Sequence, residues 1–162
     1  MRISIFGLGY VGAVVSGCLA RNGHVVIGVD PNQEKVALVN RGHSPIVEPE
    51  LPELMAAAVA AGVLKATDDV ALAIRETAVS LICVGTPSRH DGSLDLRFVE
   101  RVSREIGAEL AKKSERHTVI VRSTMLPGSV ERVVIPALEE GAGGTRQAGR
   151  DFGVAYNPEF LR

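Results

Sequence analysis

The chain alternates between short runs that are apolar at nearly every position and longer stretches whose apolar residues recur every three or four positions. The first kind reads as strands buried on both faces, the second as helices with one face turned inward. Strands are expected at Ile3–Phe6, Val25–Val29, Leu64–Ala66, Val79–Val84, His117–Val121 and Phe152–Ala155. Helices are expected at Val11–Asn22, Gln33–Asn40, Leu51–Ala61, Val70–Arg75, Leu96–Lys112 and Ser129–Glu139. Gly23, Gly42 and Gly62 stand where helices should stop, and Thr67-Asp68 reads as an N-cap. Pro52 falls in a first turn, where it is tolerated, whereas Pro136 lies inside the last helix and should kink or split it. In Leu96–Lys112, the residues Phe98, Val102, Ile106 and Leu110 form one apolar stripe for packing on the sheet. The opposite face, with Arg101, Arg104, Glu105 and Glu109, reads as solvated. Gly141 to Gly149 contains four glycines without apolar periodicity and reads as a flexible surface connection.

Strands alternating with helices, the strands being buried, predict a single α/β domain: a doubly wound, Rossmann-like parallel sheet with helices on both faces. Five or six strands are expected, in the order 3-2-1-4-5-6 if there are six. Ligands of such sheets bind at the carboxyl ends of strands where the winding reverses. Here that crevice lies between the strand opening the chain and the one ending at Val84.

The turn after the first strand carries the chemistry such a crevice needs. Phe6-Gly7-Leu8-Gly9-Tyr10-Val11-Gly12 contains a Gly-x-Gly-x-x-Gly spacing between strand and helix, and Asp30 ends the second strand eighteen residues past Gly12. Gly7 permits the tight turn, Gly9 lets backbone approach a pyrophosphate, and Gly12 lets the helix pack closely on the strand. The helix N-terminus then offers unpaired N–H groups to the phosphates. Asp30 can accept hydrogen bonds from ribose hydroxyls, and its charge repels a 2′-phosphate, which favours NAD over NADP. Lys35, one turn into the next helix, is placed to reach the adenosine end of such a cofactor or simply to meet solvent. Thr86, in the Gly85-Thr86-Pro87-Ser88 loop, and Ser123-Thr124 bring hydroxyls to the ends of two more strands.

Composition adds boundaries rather than direction. The 162 residues suffice for one core, and 46% hydrophobic with 23% charged residues is an ordinary globular balance. A formal net charge of −1 gives no reason to expect nucleic acid or a membrane surface as partner. Cys18 and Cys83 have neither metal-ligand spacing nor a disulfide pattern, so no metal is expected and a cytoplasmic setting fits. Both read as small core residues. His24, His43, His90 and His117 are scattered, and they read as loop or strand-edge positions. The run from Arg2 to Ala20 mimics a signal peptide, but its glycines belong to turn chemistry.

Four blocks narrow the fold further: Gly7-Leu8-Gly9-Tyr10-Val11-Gly12, Val84-Gly85-Thr86-Pro87, Arg122-Ser123-Thr124-Met125-Leu126-Pro127-Gly128 and Asn157-Pro158-Glu159-Phe160-Leu161-Arg162. In order and spacing they resemble the amino-terminal domain of the nucleotide-sugar 6-dehydrogenases, the UDP-glucose and GDP-mannose dehydrogenases, over essentially the whole chain. Met1–Ala13, Ser44-Pro45-Ile46-Val47-Glu48-Pro49, Ser114–Thr118 and Val133–Pro136, taken as a set, resemble the GDP-mannose branch, with the UDP-glucose branch as the alternative.

The resemblance implies oxidation of a sugar C6 alcohol to a carboxylate in two NAD-dependent steps, through a thiohemiacetal and a thioester on a cysteine. By position it implies that Tyr10, Val11, Asp30, Lys35, Thr86 and Thr124 line the NAD site. Thr124 would also hold a water at the reacting centre, and Glu159 would orient substrate or assist proton transfer. A homo-oligomer and a nucleotide-sugar substrate are implied for the full-length enzyme. The family's Gly- and Phe-rich cysteine motif is not found in these 162 residues. The chain is therefore expected to be the NAD-binding part of a longer protein, incompetent for turnover alone. Two other readings remain open: a non-catalytic nucleotide sensor on the same fold, and a 3-hydroxyacid dehydrogenase sharing only the opening turn.

Overall fold

The structure is a computed structural model, and it describes residues 1–160. Leu161 and Arg162, the end of the fourth block, lie outside the described residues. Among the described residues six strands run β1 (Arg2–Phe6), β2 (Val25–Val29), β3 (Leu64–Thr67), β4 (Val79–Ile82), β5 (His117–Val121) and β6 (Phe152–Tyr156). They form one parallel sheet in the order β3-β2-β1-β4-β5-β6. Six α-helices connect them: α1 (Tyr10–Arg21), α2 (Gln33–Asn40), α3 (Leu51–Ala60), α4 (Val70–Glu76), α5 (Arg97–Leu110) and α6 (Ile135–Gly141). The expected winding and order are both present.

Side chains alternate across each strand, so the sheet feeds two cores. Ile3, Ile5 and Val26 pack with Leu8, Ala13, Leu51 and Met55 on the face covered by α1 and α3. Phe6, Ile27, Val29 and Ile82 pack with Val99, Ile106, Leu110 and Leu138 on the face covered by α5 and α6. No described helix is long and apolar enough to cross a membrane.

Several expectations need correction. Helix α5 buries Val99, Ser103, Ile106, Gly107 and Leu110, while Phe98 stands 52% exposed. A strict i+4 series advances about 40° per step at 3.6 residues per turn, so a stripe drawn from Phe98 winds off the face that Leu110 occupies. Thr67-Asp68 does not cap α4. Asp69 does, accepting a hydrogen bond from Leu72 N–H at 2.9 Å. Pro136 does divide the last helix, and it does so through a π-helical turn, Val130–Val134, that precedes α6. Gly141 closes α6 instead of opening a loose connection. A Cβ there would lie 2.1 Å from the Arg104 carbonyl oxygen, and one on Gly107 would lie 2.1 Å from that of Leu138.

His117 is neither loop nor edge. It is 1% exposed within β5, with its Nε2 2.7 Å from Ser80 Oγ. Ser80 Oγ is in turn 2.7 Å from Ser4 Oγ, which lies 3.1 Å from Thr77 Oγ1. Lys113 Nζ approaches the imidazole Nδ1 at 3.3 Å and donates to the carbonyls of Ile74 and Thr77. A continuous polar chain thus runs beneath the sheet at the amino ends of its strands. Burial, together with the neighbouring Lys113 charge, pushes the His117 imidazole down to about 4.

Candidate functional site

The cleft lies at the carboxyl ends of β1 and β4, where the winding of the strand order reverses. Its first half, a cavity of about 600 Å³, is lined by Gly7, Gly9, Asp30 and Lys35 among others. Its second, of about 280 Å³, is lined by Gly9, Tyr10, Val11, Thr86, Thr124 and Glu159. Gly9, Cys83, Val84 and Gly85 border both, so the two are halves of one cleft.

The glycine turn builds the shared wall. Gly7 adopts φ +98°, a region that disfavours any Cβ, and lets the chain leave β1 sharply. A Cβ on Gly12 would lie 1.7 Å from the Gly7 carbonyl oxygen. Gly12 therefore lines nothing; it holds α1 against the turn. A Cβ on Gly9 meets nothing within 4 Å, so its bareness leaves open space at the mouth of the cleft. Gly9 is also the N-cap of α1, with no side-chain cap and no acid in the first turn. Unpaired N–H groups and an uncompensated dipole end face the cleft, an arrangement suited to phosphate.

Asp30 is 6% exposed at the end of β2. Its Oδ2 accepts a hydrogen bond from Leu8 N–H at 2.8 Å and its Oδ1 one from Asn32 N–H at 2.9 Å. Those bonds fix the carboxylate without using all its lone pairs. Lys35 Nζ sits 3.5 Å from Oδ2, close enough to moderate the charge and exposed enough to reach a ligand. Asn32 caps α2, accepting from Glu34 and Lys35 N–H, and so sets where Lys35 stands.

At the other end, Thr86 Oγ1 donates to the Thr124 carbonyl at 2.7 Å, and Thr124 Oγ1 donates to the Glu159 carbonyl. Glu159 pairs through its carboxylate with Arg122. Thr86, Thr124 and Glu159 are thus drawn to one wall. Tyr10 Oη donates to Glu48, a bond that raises the phenol above its ordinary value. Glu48, quoted from the sequence only as part of a block, is a partner of the cleft's rim.

Cys83 lies just past β4, not inside a strand, and burial pushes its thiol up to about 12. The nearby Arg122 charge opposes that shift and Glu159 reinforces it. A thiol held protonated is a poor nucleophile. Among the described residues no group of three or more His, Cys, Asp and Glu is placed to hold a metal.

Other cleft residues escaped the sequence reading. Phe98, Arg101, Val102 and Glu105 form a wall from α5, with Arg101 Nε 2.8 Å from Glu105 Oε1. Asp68 and Val70 contribute from the turn into α4. No separate signal for them stood in the sequence, since Phe98 and Val102 fell in the stripe counted as core and Arg101 and Glu105 on the face read as solvated. Arg122 was quoted only as part of a motif, and its contacts with Asn157 and Glu159 bridge 35 and 37 residues.

Fold, glycine turn and terminal acid together define a nicotinamide-dinucleotide domain, and the comparisons agree. Residues 1–162 match the family model of the UDP-glucose/GDP-mannose dehydrogenase family, NAD binding domain, and the chain belongs to that family. The GDP-mannose 6-dehydrogenase of Pseudomonas syringae pv. syringae is 59% identical over 162 residues, all of this chain and 36% of the relative. The UDP-glucose 6-dehydrogenase AglM of Haloferax volcanii is 39% identical over the same length, 37% of that relative. A crystal structure of a ternary complex of GDP-mannose dehydrogenase from Pseudomonas aeruginosa superposes with a TM-score of 0.96 at 57% identity, covering all of this chain and 37% of that one. The chain spans little more than a third of the length of the curated relatives it matches.

Proposed function

We propose that this chain is the NAD-binding part of an enzyme that oxidises the C6 alcohol of GDP-mannose to the carboxylate of GDP-mannuronate in two NAD-dependent steps. The observation that carries the reading is the cleft itself: an open Gly9 at an uncapped helix N-terminus, with a buried, oriented Asp30 at one end and two threonine hydroxyls and Glu159 at the other. The greater identity to GDP-mannose dehydrogenases than to the Haloferax UDP-glucose enzyme favours the mannose branch.

In this reading Gly7, Gly9 and Gly12 shape the pyrophosphate turn, and the first-turn N–H groups beside Tyr10 and Val11 bind the phosphates. Asp30 and Lys35 hold the adenosine ribose. Thr86 and Thr124 border the nicotinamide, which supplies the hydride acceptor when bound. Thr124 orients a water at the reacting centre, and Glu159 orients the sugar or moves its proton. Neither cysteine present serves as the nucleophile. Capture of the aldehyde belongs to the portion of the relatives that this chain does not span, so the chain alone binds NAD and oxidises no sugar. Cytoplasmic placement and a homo-oligomer belong to the same proposal for the longer enzyme.

Calorimetric titration of the chain with NAD and NADP tests this. NAD should bind with clear preference over NADP, and Asp30→Ala should weaken NAD binding and erase the preference. Equal binding of both cofactors by the unmodified chain refutes the role of Asp30. Oxidation of GDP-mannose by the chain alone refutes the division of labour.

A further inference from the structure

The three strand ends beneath the inner half of the cleft are cross-linked. Ser123 Oγ, just past β5, donates to the Val84 carbonyl at 2.6 Å, and Thr86 Oγ1 donates to the Thr124 carbonyl. The tail of β6 continues alongside, with Asn157 N–H donating to Val121 O at 2.9 Å and Glu159 N–H to Arg122 O at 3.2 Å. Tyr156 Oη donates to the Met125 carbonyl and accepts from Met125 N–H, each at 3.0 Å. These bonds fix where the backbone runs. They do not determine where the side chains of Asn157 and Glu159 point.

Arg122 supplies that. Its Nη1 donates to Asn157 Oδ1 and its Nη2 to Glu159 Oε2. A guanidinium is a rigid planar fork, so two acceptors held by its two prongs keep a fixed separation and direction. Its Nε is buried and finds no acceptor among the described residues. Leaving a donor unpaired is unfavourable, so the two prongs, not the solvation of the whole group, dictate its pose. Both partners of the ion pair are half-sheltered, at 22% and 28% exposure, where the contact is less screened than on open surface.

We propose that Arg122 is a positioning residue for the nicotinamide half of the cofactor. Anchored to Asn157 by one prong and gripping Glu159 with the other, it holds the inner wall, lined by Arg122, Glu159, Thr86 and Thr124, against which the nicotinamide lies. The assignment rests on the dinucleotide reading of the cleft. It also divides the site: Gly7, Asp30 and Lys35 line the other half and owe nothing to Arg122.

ADP-ribose, which keeps the adenosine and pyrophosphate but lacks nicotinamide, separates the two halves. Calorimetry would give its affinity for the chain, and nicotinamide fluorescence would follow NADH. Arg122→Met should weaken NADH about tenfold, the scale of one charge-assisted contact. It should also remove most of the change in NADH emission at saturation, while ADP-ribose affinity stays within about twofold of wild type. Arg122→Lys, with a charge but no fork, should recover an intermediate response. Two results overturn the assignment: wild-type NADH affinity and emission in Arg122→Met, or equal losses for NADH and ADP-ribose in both variants, which marks a purely structural role. A wild-type chain that binds neither ligand defeats the dinucleotide reading, and the assignment falls with it.

Discussion

Replacing His117 by glutamine should flatten the acid branch of this domain's stability curve. The imidazole is pushed down to about 4 in the folded chain, first by burial and then by the Lys113 charge. In the unfolded chain an ordinary histidine titrates near ~6.5. Between those values the unfolded state takes up a proton that the folded state refuses, so stability is complete above pH ~6.5 and falls as pH drops towards ~4. At about 1.4 kcal/mol per unit, the full loss approaches about 3 kcal/mol, and about 2 kcal/mol of it is incurred by pH 5. For a chain of this size that corresponds to a fall in Tm of roughly 4–8 °C between pH 7.5 and 5. The carboxylates held below their usual range, Asp95 by Arg97 and Glu76 by Lys65, lose their contributions at lower pH and leave this window to His117. Urea denaturation followed by circular dichroism at several pH values measures it. Glutamine can still reach Ser80 but cannot charge, so His117→Gln should cost stability at pH 7.5 yet show a much smaller further loss at pH 5. A variant with the same pH slope as wild type refutes the argument.

The glycines of the opening turn should separate folding from binding. Gly12→Ala places a methyl 1.7 Å from the Gly7 carbonyl oxygen and should destabilise the domain by about 3 kcal/mol, visible as a Tm fall of roughly 6–12 °C. Gly9→Ala meets no atom within 4 Å, so Tm should move by no more than about 2 °C while NAD affinity falls at least about tenfold; calorimetry of both variants checks the pair, and equal destabilisation would contradict it. Phe98→Ala should leave Tm within about 2 °C and weaken NAD several-fold, because the ring stands on the cleft wall and not in the core. An intact affinity would show that the ring makes no cofactor contact.

The architecture was legible because parallel strands buried on both faces run apolar at nearly every position, as Val25–Val29 and Val79–Ile82 do. The glycine turn and Asp30 were legible for a related reason: their jobs depend on backbone and on position within one strand-turn-helix-strand unit. What stayed hidden depends on partners far along the chain. His117 looked like one scattered histidine because Ser80, its hydrogen-bond partner, is 37 residues away. Arg122 gave no sign of reaching Asn157 and Glu159 until β5 and β6 were side by side. Phe98 was misassigned for a different reason, since a stripe counted in fours drifts around a helix with 3.6 residues per turn.

The paired glycines of α5 and α6 have a consequence for anyone recombining this domain with a relative. Each helix presents a bare position to a backbone carbonyl of the other, Gly107 to Leu138 and Gly141 to Arg104. Neither surface tolerates a new methyl unless the other retreats. A chimera whose crossover falls between these helices would marry two halves shaped for different spacings, whereas one that exchanges residues 97–141 as a single block keeps the fit. The seam for domain engineering therefore runs outside this helical pair, never through it.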